Sequence, residues 1–204
     1  MGMEEWFNDI CAFHEKHQLE YDGGERALPD DLAKFRADFM IEELGEYEAA
    51  ALAGNRASAL DALVDLAYVA VGTAYLHGFP IRPQSTWPLH VQVAIMPPDT
   101  PLDPNSLEGE LVLGMIDEPV REYFVARLLR SFPERIHRSR ESVWEVAFRA
   151  WAGAQILGYD FDEAWRRVHA ANMKKVRAPS ARSGSHDVVK PPGWTAPNLA
   201  DLVR

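Results

Sequence analysis

Three glutamates, Glu42, Glu43 and Glu46, fall within "MIEELGEYEAA" (Met40–Ala50), a stretch of helical texture. Residues three and four apart on a helix are neighbours with Cβ atoms about 5–6 Å apart, so these carboxylates share one patch and repel. Taken alone, the cluster reads as a solvated polar face. The next apolar stretch, "ASALDALVDLAYVAVGTAYL" (Ala57–Leu76), changes the weighing, because its only charges are Asp61 and Asp65, four residues apart on one face. A buried carboxylate is costly unless it is paired or bound to a metal. If the two stretches form an antiparallel helical hairpin, Asp61 and Asp65 can face Glu43 and Glu46. Two compensations are open. A hard divalent cation selected by oxygen ligands, Mg²⁺ or Mn²⁺, can sit among them, or a basic side chain such as Arg36 or Arg56 can neutralise part of the charge.

Mg²⁺ held by few carboxylates commonly serves a substrate phosphate. That directs attention to "VHAANMKKVR" (Val168–Arg177), where Asn172, Lys174, Lys175 and Arg177 could hold a phosphate chain. Basic residues near a helix C-terminus also simply complement its dipole, and Arg166 and Arg167 read as surface charges. His169, among apolar residues, reads as a packed or hydrogen-bonded core histidine, and Tyr68 as core. Cys11 reads as a small core residue, and Trp194 as a tail aromatic anchored to the body.

The elements that would position these groups are helices. A first helix is expected over about Glu4–His17, with Trp6, Phe7, Ile10 and Phe13 on its apolar face. "YDGGERALPDD" reads as a loop. A second helix should begin at an Asp30 N-cap and stop at Gly54, burying Leu32, Phe35, Phe39, Leu44 and Tyr47. A third should start near Asn55–Ser58 and stop near Gly78, a few residues from the second, which gives the hairpin. From about Ile81 prolines interrupt the chain, and "LHVQVAIM" (Leu89–Met96) and "LEGELVLGMI" (Leu107–Ile116) read as strands of an inserted β-hairpin excursion. Helix is expected again from Asp117, with Pro119 in its first turn. A further helix covers Ser142–Gly158, and another opens on the capping-box pair Asp160 and Glu163. The tail from Ala178 is rich in Ser, Gly and Pro. The organisation expected is one all-α antiparallel bundle over 1–177, with about 81–140 as an insertion, and an extended C-terminal tail over 178–204.

The bulk composition narrows the function. A net charge of −10 in 204 residues argues against a general nucleic-acid binder, which needs excess Lys and Arg for phosphates. It leaves room for one phosphorylated small molecule. The segment Ala57–Leu76 has the length of a membrane span, but each of its aspartates would cost roughly 2.5–3.5 kcal/mol at a bilayer centre. A core helix, and no membrane partner, is the expectation. The single cysteine allows no internal disulfide and fits a reducing cytoplasm. "MGMEEWFNDI" lacks the basic n-region of a signal peptide.

"FHE" (Phe13–Glu15), "EELGE" (Glu42–Glu46), "DALVDLAYVAVGTAYLHG" (Asp61–Gly78), "VHAANMKK" (Val168–Lys175) and "VKPPGWTAPNL" (Val189–Leu199) follow one another along the chain. Jointly they resemble the MazG-like all-α nucleoside triphosphate pyrophosphohydrolases, relatives of phosphoribosyl-ATP pyrophosphohydrolase and of dimeric dUTPases, and above all their phage-type members. The resemblance implies hydrolysis of a (d)NTP between the α- and β-phosphates to a (d)NMP and pyrophosphate. It implies metal ligands at Glu43, Glu46, Asp61 and Asp65, catalytic roles for Glu42, Glu43 and Glu46, and Glu42 as a ligand or water-orienting base. Asn172, Lys174, Lys175 and His14 would contact the substrate. The family's second acidic motif is usually ExxD, whereas Ala62 stands three before Asp65; Asp61 is the acidic group available on that face. Relatives assemble as dimers or tetramers, so a homo-oligomer is implied, and host cytoplasm if the chain is phage-encoded. Analogy favours a purine, guanine before adenine. The rival readings are a phosphoribosyl-ATP pyrophosphohydrolase and a non-catalytic, metal-stabilised nucleotide-binding helical oligomer.

Overall fold

A computed structural model of the protein describes residues 2–82, 104–177 and 188–203. Helix α1 spans Met3–Lys16 and buries Met3, Trp6, Ile10 and His14, a stripe at helical spacing. Helix α2 spans Asp30–Leu52 and α3 Arg56–His77. Asp30 is the first helical residue of α2 rather than its cap; Pro29 takes that place without a side-chain hydrogen bond. The Asn55 side chain caps α3 by accepting from the Ser58 N–H at 3.2 Å. Gly78 ends α3 at φ 68°, a left-handed conformation that glycine adopts without a Cβ penalty. The short link between α2 and α3 makes them a hairpin, packed along their length.

Helix α3 is apolar nearly all round because it is surrounded. It packs against α1, α2 and two later helices, Phe132–Ile156 and Phe161–Asn172. It is long and apolar enough to cross a membrane, yet 83% of its most apolar window lies buried within the protein. The expectation of a core helix accounts for it.

The strand expectation for Leu107–Ile116 is overturned. Leu107–Ala126 is a single helix, α4, and the N-cap Ser106 accepts from the Gly109 N–H. The buried residues Val112, Ile116, Val120 and Tyr123 recur every three or four positions, the spacing of one helical face. Pro119 lies inside the helix, not in its first turn. A proline there leaves the carbonyl four residues earlier without its donor, and Arg149 Nη1 supplies one to the Met115 carbonyl at 2.8 Å. The other proposed strand, Leu89–Met96, lies outside the described residues.

Helix α5 spans Phe132–Ile156, beginning earlier than the apolar run from Ser142 suggests, and packs on α3 and α4. Helix α6 spans Phe161–Asn172, and Asp160 Oδ1 accepts from the Glu163 N–H at 3.1 Å. Beyond it, β1 (Val176–Arg177) pairs antiparallel with β2 (Val188–Val189), with Val176 opposite Val189 and Arg177 opposite Val188. The described part of the tail is fastened to the body. Trp194 Nε1 donates to the Ala171 carbonyl at 2.9 Å, Arg167 grips Asp201 through two nitrogens at 2.7 and 2.9 Å, and Leu199 and Val203 are buried. The architecture is an all-α bundle with a two-stranded ribbon at one edge.

Candidate active site

The hairpin, α1 and the end of α6 enclose a cavity of about 80 Å³ whose lining includes His14, Arg36, Glu43, Asp65, Tyr68, Asn172 and Lys175. Five residues marked in the sequence thus meet in one place, although they come from four helices and a following turn. Glu43 is 6% exposed, and its Oε2 is buried with no hydrogen-bond donor among the described residues. Burial first, then the charges of Asp65, Glu46 and Glu42, hold the Glu43 carboxyl far above the usual range, with Lys175 opposing. Asp65 is raised by burial and by Asp61 and Glu46, with Lys175 and Lys190 opposing. Asp61, half-buried, is raised by burial and by Glu46. The four acids therefore feel one another across the hairpin, as their spacing suggests. Glu42 and Glu46 are exposed. Among the described residues no three carboxylate, imidazole or thiol side chains stand close enough together to hold a metal ion as they are placed.

The donor set nevertheless suits a hard cation. It consists of carboxylate oxygens, the kind that Mg²⁺ and Mn²⁺ take, and the buried Glu43 Oε2 has no hydrogen-bond partner among the described residues. Arg36 is not that partner. Its Nε donates to Thr73 Oγ1 at 2.9 Å and its Nη2 to the Val69 carbonyl at 2.6 Å, which places the guanidinium on the α3 backbone.

His14 is buried, and burial pushes its imidazole down to about 3, so it stays neutral in the cavity wall while its Nδ1 bonds to the Ile10 carbonyl. Asn172 is 5% exposed and Lys175 half-buried, whereas Lys174 is exposed and outside the cavity lining. The sequence also left groups unmarked. Tyr68 is buried as expected, but it also lines the cavity beside Asn172; its hydroxyl lies 3.0 Å from His169 Nδ1. His169 Nε2 in turn stands 3.6 Å from Asp9, which accepts from Trp165 Nε1 at 2.9 Å. Gly72 leaves room for this packing, because a Cβ there would meet Arg36 Nη2 at 3.0 Å and His14 Cε1 at 3.3 Å. The signal for Tyr68 and Gly72 is their position one and two helical turns beyond Asp65 on the same side of α3.

Residues 11–85 match the family described as phosphoribosyl-ATP pyrophosphohydrolase. No curated protein and no solved structure matches the chain. The matched segment runs from within α1 past the end of α3 and carries every acidic residue of the site; Asn172, Lys175 and the tail lie outside it. This segment is similar to phosphoribosyl-ATP pyrophosphohydrolases, in keeping with the all-α bundle described above.

Proposed function

We propose that the protein is a Mg²⁺- or Mn²⁺-dependent nucleoside triphosphate pyrophosphohydrolase that converts a (d)NTP, a purine and guanine before adenine, to the (d)NMP and pyrophosphate. The observation that carries this reading is the meeting of buried Glu43 and half-buried Asp65, from adjacent helices, with Asn172 and Lys175 in one cavity. Glu43 and Asp65, with Asp61 and Glu46 beside them, would hold the cation. When bound, it offsets phosphate charge and lowers the pKa of water. Glu42 and Glu46, exposed at the edge of the acidic group, orient the attacking water. Its oxygen bonds to the α-phosphorus, and the bridging oxygen leaves with the β-phosphate. Lys175 faces the leaving pyrophosphate, and Asn172, beside Tyr68 in the cavity wall, positions the nucleotide. Ile41 and Val125 remain 44% and 48% exposed along one groove between α2 and α4; in a homo-oligomer a second copy would cover them.

The family that residues 11–85 match favours one second reading, phosphoribosyl-ATP as substrate. A panel of NTPs, dNTPs and phosphoribosyl-ATP, with Mg²⁺ or Mn²⁺, separates the two when scored for monophosphate and pyrophosphate. In ¹⁸O-water the label should enter the nucleoside monophosphate. Label in orthophosphate with a diphosphate co-product would refute α-phosphorus attack.

A further inference from the structure

We propose that the C-terminal strap Val188–Trp194 completes the site, with Lys190 as a second cation, beside Lys175, for the terminal phosphates of the substrate. This rests on the triphosphate reading above. The two lysines lie far apart in sequence and converge on one indole. Lys190 Nζ stands 4.6 Å and Lys175 Nζ 5.8 Å from the Trp194 ring centroid, distances at which an ammonium is drawn to an aromatic face. Neither ammonium forms an ion pair with a described residue. Gathering two like charges on one ring is unfavourable unless anions offset it; Asp61 and Asp65 do so in part, and a bound polyphosphate would complete it.

The strap is held on both sides of Lys190. Before it, Val188 and Val189 pair with Arg177 and Val176, and Val188 lines the carboxylate cavity. After it, Trp194 Nε1 is fixed to the Ala171 carbonyl, on the helix that ends at Asn172. The Lys190 backbone is therefore set beside the cavity. Its charge acts on Asp61 and Asp65, as that of Lys175 does. Lys175 also lines a second cavity, of about 220 Å³, with Lys16, His17 and Arg177. Lys16 and Arg177 donate to backbone carbonyls of Met173, His17 and Gln18 there. The ammonium groups of Lys175 and Lys190, by contrast, form no hydrogen bond or ion pair with a described residue and are placed to take a ligand. A polyphosphate with its α-phosphate toward the carboxylates would lay its β- and γ-phosphates across this pair.

Inorganic pyrophosphate with Mg²⁺ is the probe, titrated calorimetrically into the full chain, with a nucleoside monophosphate as comparison. Lys190→Ala should weaken pyrophosphate binding about tenfold to a hundredfold, the range of a lost charge-assisted contact, and change monophosphate binding less than twofold. Lys190→Arg should restore most of the affinity, and Lys34→Ala, on the exposed face of α2, should change nothing. Melting curves verify that each variant is folded. Wild-type pyrophosphate affinity in folded Lys190→Ala overturns the inference, and so does absence of pyrophosphate binding by the wild type. If the wild type binds pyrophosphate through Lys190 yet hydrolyses no nucleotide, the strap inference stands and the activity reading falls.

Discussion

At the scale of single residues, the site depends on a buried glutamate, Glu43, and a half-buried aspartate, Asp65, that have little reason to be drawn from water without a ligand. Asp65→Asn keeps the size of the side chain and removes its charge. Turnover should be lost, while helix content by circular dichroism stays near wild type. Full activity in that variant, or unchanged activity in excess EDTA, would remove the metal from the reading. The two neighbouring lysines give a sharper contrast. Lys175 lines the cavity, whereas Lys174 is exposed outside it. Lys175→Ala should lower kcat/KM about tenfold to a hundredfold through loss of a charge-assisted phosphate contact. Lys174→Ala should leave kinetics unchanged, and steady-state rates measured beside melting temperatures distinguish a phosphate ligand from a lysine that only complements the helix dipole. The acids were legible in the sequence because two aspartates in an otherwise uncharged apolar helix demand a partner. Tyr68, Thr73 and Arg36 were not. Their roles come from packing between α1, α2, α3 and α6, and local spacing holds no record of which distant helix a side chain will meet.

At the scale of elements, helices α1, α2, α3 and α6 were legible to within a few residues, since apolar spacing, an Asn55 cap and a Gly78 stop all agree. Helix α4 was misread because Pro119 signals a boundary and "GELVLGMI" carries enough β-branched and apolar residues to pass as a strand. The deciding contact is tertiary. Arg149 on α5 supplies the Met115 carbonyl with the donor that Pro119 lacks, and it also reaches Glu145 and Glu118, each at 2.9 Å. This gives a prediction about coupling. Arg149→Met should destabilise the fold by about 1–3 kcal/mol, the cost of a part-buried acceptor left unmade. In a Pro119→Ala background residue 119 regains its N–H and can bond to the Met115 carbonyl, so the same Arg149→Met change should cost less. Urea unfolding of the four variants measures the interaction directly. Additivity within about 0.3 kcal/mol, the tolerance for independent sites, would show that Arg149 holds α4 only through its ion pairs.

At the scale of the whole molecule, the same buried charges give stability a characteristic dependence on pH. Burial lowers the imidazoles of His14, His17, His77 and His169, His14 to about 3 and His77 to about 4. The unfolded chain therefore binds more protons than the folded one below an ordinary histidine value of about 6.5, and stability should fall as pH drops through that region. Glu43, Asp65 and Asp61 act in the opposite direction. Their carboxyls are raised by burial and mutual repulsion, so above about pH 4 the folded protein retains protons that the unfolded chain has released. That contribution is complete below the unfolded value and is lost as pH rises through the raised folded values. Above about pH 6.5 the histidine contribution has levelled off, and the carboxylates alone should set the slope up to the range of thiols and phenols. The melting temperature of EDTA-treated protein should therefore decline between pH 6.5 and 8.5. A divalent cation that binds the ionised acids competes with those protons, so it should stabilise more strongly at the upper end and flatten the decline. Calcium-free buffers with Mg²⁺ or Mn²⁺ at fixed excess, scanned by calorimetry at several pH values, provide the measurement without reference to turnover. A metal-induced shift equal at both ends of the range would mean that the ion binds away from Glu43 and Asp65. In Asp65→Asn both the decline and the metal-dependent gain should shrink together, because one substitution removes the repulsion and a ligand at once.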